Sequence, residues 1–284
     1  MGREKGILAF MTDTVAKFFR DRGPHVAAMI AYFALLSLVP LVFLALALFG
    51  LAGRVDESSY LVTELQSMFP TRSFEQIVTV VNGIQDNATA LGLVGGPLLA
   101  WSSLSLFSVL ESAFNIVYGR PNRSFLHGKL VAILLLIASL VVLFVGLVVG
   151  TFGFELLTRY AGGVVANDYV AYVLSVVVSS VAVLVFVVAI YYLLTNVNLT
   201  VREVLPGALL ATVVLQASFQ VLPLYLRATS DLVALQAFGG LPILLVWLYV
   251  MANVIVFGAE VNWWLTYGRH EGTSEGAEEA PGLA

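Results

Sequence analysis

Cysteine does not occur among the 284 residues, and histidine occurs only three times. A disulfide framework, a thiolate metal site and a cysteine nucleophile are thereby excluded. His25, His127 and His270 lie far apart in HxH- and HxxxH-free sequence, so no histidine-built metal centre is expected. No serine nucleophile elbow of the hydrolase type is recognised. Charge is scarce as well. Asp, Glu, Lys and Arg make up 11% of the chain, against about 25% in soluble domains. A net charge of −4 argues against a nucleic-acid surface, a local basic patch aside.

What the chain has instead is apolar length: 60% of its residues are hydrophobic. Val131 to Val149 reads VAILLLIASLVVLFVGLVV without one charge. About 20 such residues at about 1.5 Å each cross about 30 Å of hydrocarbon. Six spans are predicted, at about 26–52, 88–118, 129–153, 168–195, 204–226 and 237–266. The fourth is rich in Val, but a strand of that length standing open in lipid leaves its backbone unsatisfied. The fold class is therefore an all-α membrane protein with six transmembrane helices.

Lys and Arg placement orients the spans. Arg3, Lys5, Lys17, Arg20, Arg22, Arg120, Arg123, Lys129, Arg202 and Arg269 fall on one side, and Arg54, Arg72, Arg159 and Arg227 on the other. The richer side is cytoplasmic, so both termini are expected there. The first apolar run, about 27 residues, exceeds the about 7–15 of a signal-peptide core, and the first span is expected to remain in the mature protein.

Before it, Leu8, Met11, Val15 and Phe18 recur at helical spacing, which suggests that residues 1–24 form an amphipathic helix. Such a helix lies in the headgroup layer or packs on the cytoplasmic face of the bundle. Residues 53–87 form the largest extracytoplasmic loop. Leu61, Leu65 and Met68, then Ser73 and Gln76 as a capping box before Ile77, Val80 and Ile84, predict a short helical hairpin. Asn87-Ala88-Thr89 matches a glycosylation triplet of little weight, and Gly146 and Gly150 form a GxxxG best read as packing. The domain layout is completed by a transmembrane region over 25–268 and an acidic tail, 269–284, expected to be disordered.

The informative residues are the polar ones inside the spans. In the second span Trp101, Ser105, Ser108, Ser112 and Asn115 fall in a stripe about 80° wide, with Glu111 about 40° beyond its edge. Serines at such a stripe are mostly packing devices. A carboxylate in the membrane costs several kcal/mol unless it is paired, wet or protonated. Glu260 in the sixth span, with Tyr249 and Asn253 along one face, is a second case. Glu111, Asn115, Asn196 and Glu260 come to the same cytoplasmic depth, as do His25, Tyr192, Arg202 and Glu203, and they point to a polar cavity open toward the cytoplasm. Arg120 or Arg202 is the natural counter-charge. The alternative is a hydrogen-bonded plug that locks the helices. Pro40, Pro97, Pro223 and Pro242 fall in or near spans and can kink them.

Four segments carry a family resemblance: AMIAYFALLSLVPLVFLAL (28–46), WSSLSLFSVLESAFNIVYG (101–119), YYLLTNVNLTVREVLPGALLA (191–211) and LVWLYVMANVIVFGAEVN (245–262). Together they resemble the YihY/BrkB family of bacterial inner-membrane proteins, over most of residues 25–265. The matching elements are Ala31-Tyr32, Ser37 to Pro40, Leu110-Glu111 with Asn115, Pro206-Gly207-Ala208, and Gly258 to Asn262. Two departures are Leu194-Thr195-Asn196 for the usual Leu-Pro-Asn, and Ala237-Phe238-Gly239-Gly240 for the usual Tyr-Gly-Ser. The resemblance adds Tyr32 and Asn262 to the cavity candidates and Pro206 to the kink candidates. It implies an inner-membrane location and a link in name to a serum-resistance virulence factor.

Members long carried the label ribonuclease BN, which the residues of this chain do not support. No catalytic residue, metal or cofactor is expected, and the chain is not read as an enzyme. A transporter or lipid-handling protein, with membrane lipids as partners, fits the polar cavity. The runner-up is an anchor or assembly partner of an envelope complex that contacts an extracytoplasmic protein through 53–87.

Overall fold

The computed structural model describes residues 2–51, 88–139, 168–229 and 241–268, and every regular element among them is helical. In chain order these are α1 (Gly2–Arg20), α2 (Gly23–Leu51), α3 (Ala88–Val117), α4 (Phe125–Ser139), α5 (Asp168–Leu194), α6 (Val201–Thr229) and α7 (Leu241–Trp263). A π-helical turn, Trp264–Gly268, continues α7. Among the described residues four helices are long and apolar enough to cross a membrane, through Ala100–Val117, Val176–Leu194, Val201–Val221 and Pro242–Gly268. They correspond to the second, fourth, fifth and sixth expected spans.

The first expected span falls on α2, a 29-residue helix, and α4 opens the third. The remainder of that third span lies outside the described residues. So do the 53–87 hairpin, Asn87 of the glycosylation triplet, Gly146 and Gly150, the Ala237–Gly240 departure and the tail.

Local chemistry sets the helix ends that matter for the site. α3 stops at a Schellman motif: Gly119 adopts φ +60°, its N–H donates to Ile116 O at 3.1 Å, and Arg120 N donates to Asn115 O at 2.8 Å. Pro121, with no N–H to give, prevents the helix from resuming. α6 begins with a capping box. Glu203 Oε2 accepts from Thr200 N at 2.6 Å and Thr200 Oγ1 at 2.8 Å, while Thr200 O accepts Glu203 N at 3.0 Å. Between α1 and α2, Arg22 takes a left-handed φ of 58°.

The chain divides into two compact units. The unit made of 24–109 and 217–254 buries Val26, Ala27, Ile30 and Ala31 of α2, Ser102, Ser103 and Phe107 of α3, and Ile243, Met251 and Ala252 of α7. The small ones among them, Ala27, Ala31, Ser102, Ser103 and Ala252, let helices approach closely. Phe219 and Trp247 meet edge to face at 5.2 Å in the same unit.

The other unit, 1–23, 110–216 and 255–284, holds the polar residues. Its core is Phe114 against Tyr191, ring centroids 5.1 Å apart, with Val187, Ile190, Leu194, Val204 and Val256 around them, all nearly inaccessible. α6 crosses α7 at Gly207 and Gly258, so closely that a Cβ on Gly207 would overlap the Gly258 carbonyl oxygen. Tyr191 OH donates to Ile255 O at 2.6 Å beside that crossing. α5 turns Val177, Val178, Val181 and Val185 outward while burying Val187, Ile190, Tyr191 and Leu194. An outward apolar face is what a lipid-facing helix requires.

α1 has three sectors at 100° per residue. Thr14, Lys17 and Phe18 are buried, and Phe10 and Phe18 meet Trp264 and Phe257 of the α7 end at 4.8 and 5.8 Å. Met11, Val15 and Phe19 form an exposed apolar stripe next to that face. Thr12, Asp13, Ala16 and Arg20 occupy the remaining, exposed sector.

Candidate functional site

The carboxylate of Glu111 is 5% exposed, one and a half turns before the end of α3. Its Oε1 accepts the backbone N–H of Arg123 at 3.1 Å and stands 3.6 Å from Arg123 Nη1. The Schellman turn makes this possible: it reverses the chain so that a residue twelve positions later returns to the same level. α4 passes close on the other side, where a Cβ on Gly128 would stand 2.9 Å from Glu111 Oε2.

Arg123 also caps α5. Nη1 donates to Leu194 O at 2.7 Å and Nη2 to Thr195 O at 2.8 Å, a cation on the negative end of a helix dipole. Thr195, which stands in the Leu-Thr-Asn departure, turns its own Oγ1 back to Tyr191 O at 2.7 Å.

Asn115 joins the two loops. Its Oδ1 accepts Asn196 N at 2.7 Å and its Nδ2 donates to Asn122 Oδ1 at 3.1 Å. Asn196 Nδ2 donates to Pro121 O at 3.0 Å. Glu111, Asn115, Arg123 and Asn196 thus form one network, and above it lies a recess of about 450 Å³ lined by Arg120, Arg123, Asn196, Val197 and Asn198. Arg120 and Asn198 are exposed at its walls.

Glu260 has a different environment. It is wholly buried, and Lys17 Nζ lies 3.0 Å from its Oε2. Neither carboxylate oxygen receives a directed hydrogen bond among the described residues, so Lys17 meets it as a charge rather than as a donor in line. Lys17 Nζ also pairs with Asp21, donates to Val117 O at 2.7 Å and sits 4.3 Å above the Trp263 ring. One lysine thereby ties α1 to α7 and to the last carbonyl of α3.

The remaining candidates separate by location. Asn262 is buried in the same unit, but its Oδ1 accepts Gly207 N at 2.6 Å, at the α6–α7 crossing. Its Nδ2 has no partner among the described residues. Arg202 is exposed near the start of α6, and no ion pair of it occurs among the described residues. Tyr32 is 53% exposed on α2, in the other unit. The serine stripe largely satisfies itself: Ser105 and Ser108 donate to Trp101 O and Leu104 O one turn back, at 2.8 and 2.7 Å. Asn253 does the same to Tyr249 O. Pro97 lies inside α3, Pro40 inside α2, Pro206 and Pro223 inside α6, and Pro242 is the second described residue of α7.

Sequence reasoning named neither Arg123 nor Lys17 as counter-charges. Arg123 was within reach of it, in the same short basic loop as Arg120, but choosing among Arg120, Arg123 and Arg202 requires the path of the loop. Lys17 carries no signal by itself, since its place on the wheel is read as a solvent face until α7 covers it.

Comparison with known proteins gives one family. The profile described as Virulence factor BrkB matches residues 14–282. Among relatives, a Bacillus subtilis (strain 168) protein named ribonuclease-like, YfkH, is 25% identical over 262 residues, 90% of this chain and 94% of its own. A UPF0761 membrane protein of Idiomarina loihiensis is 26% identical over 259 residues, 89% of each chain. One from Azoarcus sp. (strain BH72) is 26% identical over 257 residues, 87% of this chain but 60% of its own, so that this chain spans about three fifths of that relative. No solved structure is significantly similar.

Proposed function

The chain belongs to the Virulence factor BrkB family, and from that premise we propose that it is an inner-membrane transporter or lipid-handling protein whose polar working surface is the recess between the α3–α4 and α5–α6 loops. The carrying observation is the recess of about 450 Å³ with two arginines and two asparagines on its walls. In the same unit α5 turns Val177, Val178, Val181 and Val185 outward, an apolar face suited to lipid. Cavities of about 300–1,000 Å³ are the size that takes small ligands.

In this reading the termini and the recess are cytoplasmic, in keeping with the excess of Lys and Arg on that side. The intramembrane carboxylates have a holding role. Glu111 is engaged by Arg123 and Glu260 by Lys17, which leaves the ligand to the arginine and asparagine groups of the recess. The reading assigns no catalytic residue. The ribonuclease-like name belongs to YfkH, and among the described residues no group of three or more His, Asp or Glu is placed to hold a metal ion.

The test is movement of fluorescent phospholipid, and separately of protons, in liposomes carrying the purified protein. Wild type is expected to move one of them, and Arg120→Ala to slow that movement by about tenfold, the scale of one lost charge-assisted hydrogen bond. Glu111→Gln tests the holding role and is expected to lower stability more than it lowers the rate per folded molecule. Absence of movement in every sample sinks the reading and favours an anchor that works through 53–87.

A further inference from the structure

We infer that the recess is a binding site for a phosphate-type oxyanion, free or carried on a lipid headgroup, with Arg120 as its principal contact. The inference rests on the reading of the recess given above and names the chemistry of its ligand.

The charge balance of the lining leads to it. Arg120, Arg123, Asn196, Val197 and Asn198 include two cations and no carboxylate. Arg123 is already committed: Glu111 lies 3.6 Å from it, and both of its terminal nitrogens donate to carbonyls of the α5 end. That commitment fixes the guanidinium in place and offsets most of its charge. Arg120 is different. It is exposed, and no ion pair or hydrogen bond of its guanidinium occurs among the described residues. The recess therefore carries about one uncompensated positive charge.

Asn196 is committed to Asn115 and Pro121, but other lining groups keep donors without a partner. The Asn198 amide and the backbone N–H groups of Val197 and Asn198 make no hydrogen bond among the described residues. A guanidinium fork with free N–H groups beside it suits a tetrahedral oxyanion, which accepts several donors at once. A cation would meet like charge there, and a neutral amphiphile would leave Arg120 unpaired.

The site is also preorganised. Arg120 N is held by Asn115 O at 2.8 Å, Pro121 follows it, and Asn196 is pinned to Asn115 and Pro121. The backbones on both sides of the recess are thus tied to one buried asparagine before any ligand arrives, which lowers the ordering cost of binding.

The experiment measures the unfolding midpoint of the purified 284-residue protein in a non-ionic detergent. The probes are inorganic phosphate against chloride at equal ionic strength, and short-chain phosphatidic acid against the matching diacylglycerol. Wild type, Arg120→Ala and Arg120→Lys are compared, since a ligand that binds only the folded state raises its stability in a saturable way. The expected result is a saturable rise with a phosphate-bearing probe and none with chloride or diacylglycerol. Apparent affinity should fall about tenfold in Arg120→Ala and recover in part in Arg120→Lys.

A rise with inorganic phosphate alone assigns a free anion, and one with phosphatidic acid alone assigns a headgroup; both support the site. No saturable rise with either probe, or an equal rise in Arg120→Ala, overturns it. The liposome assay separates the two readings. Arg120-dependent binding without lipid or proton movement leaves the site standing and removes the transport reading. Wild-type movement that Arg120→Ala slows, with no phosphate binding by either probe, removes the oxyanion site and leaves the transport reading.

Discussion

Arg120 and Arg123 stand three residues apart in one loop and do opposite work. Arg123 is a structural cation that neutralises a buried carboxylate and caps a helix. Arg120 has only its backbone fixed. Removing one partner of a buried pair leaves an uncompensated charge and costs about 3–5 kcal/mol, a figure to be lowered here because Arg123 is partly exposed. Arg123→Ala is therefore expected to destabilise the protein by about 2–4 kcal/mol. Arg120→Ala should stay within about 0.5 kcal/mol of wild type. Thermal or denaturant unfolding in micelles checks the contrast, and equal losses in the two variants would contradict the division of labour.

At the scale of elements, α1 is joined to the bundle by charge as well as by packing. Its buried face presents Thr14, Lys17 and Phe18, and its apolar stripe of Met11, Val15 and Phe19 faces out. The sequence leaves two settings open for this helix, the headgroup layer and packing on the end of other helices, and its buried face against α7 shows the packing. Lys17 and Glu260 together form the polar contact of that face. Lys17→Met strands the buried Glu260 carboxylate and is expected to cost about 3 kcal/mol, whereas Glu260→Gln leaves Lys17 with Asp21 and should cost about 1 kcal/mol. The double variant should cost less than their sum by about 1–3 kcal/mol. A double-mutant cycle by unfolding in micelles measures that coupling, and strict additivity would mean that the pair is incidental.

For the whole molecule, the absence of cysteine becomes an experimental convenience. Single cysteines can be introduced into the natural chain with no background. The proposed topology, six spans with both termini cytoplasmic, predicts that cysteines at Asn122, Asn198 and the 269–284 tail react with an impermeant thiol reagent only from the cytoplasmic side. Cysteines in 53–87 should react only from the outside. Labelling of Asn122 and Asn198 from opposite sides would break the topology, because their loops share a hydrogen-bonded network.

Much of the architecture is legible without coordinates. The Val-rich fourth span reads as a helix because lipid forbids an unpaired strand, and α5 is one. The stop after α3 is written in Gly119 and Pro121, and the start of α6 in Thr200 and Glu203. That Glu111 and Glu260 must be paired, wet or protonated also follows from sequence, since a lone ionised carboxylate at low dielectric is costly.

Which partner each one takes was decided by the tertiary structure. Glu111 and Glu260 run toward the same end of their helices, yet one is matched by a loop arginine and the other by a lysine from α1. Hydropathy and charge counts are sums along the chain; they set the all-helical membrane class and an expected orientation. Pairing depends instead on the few ångströms over which the loop after Gly119 folds back and α1 lies against α7, and no count along the chain encodes those distances.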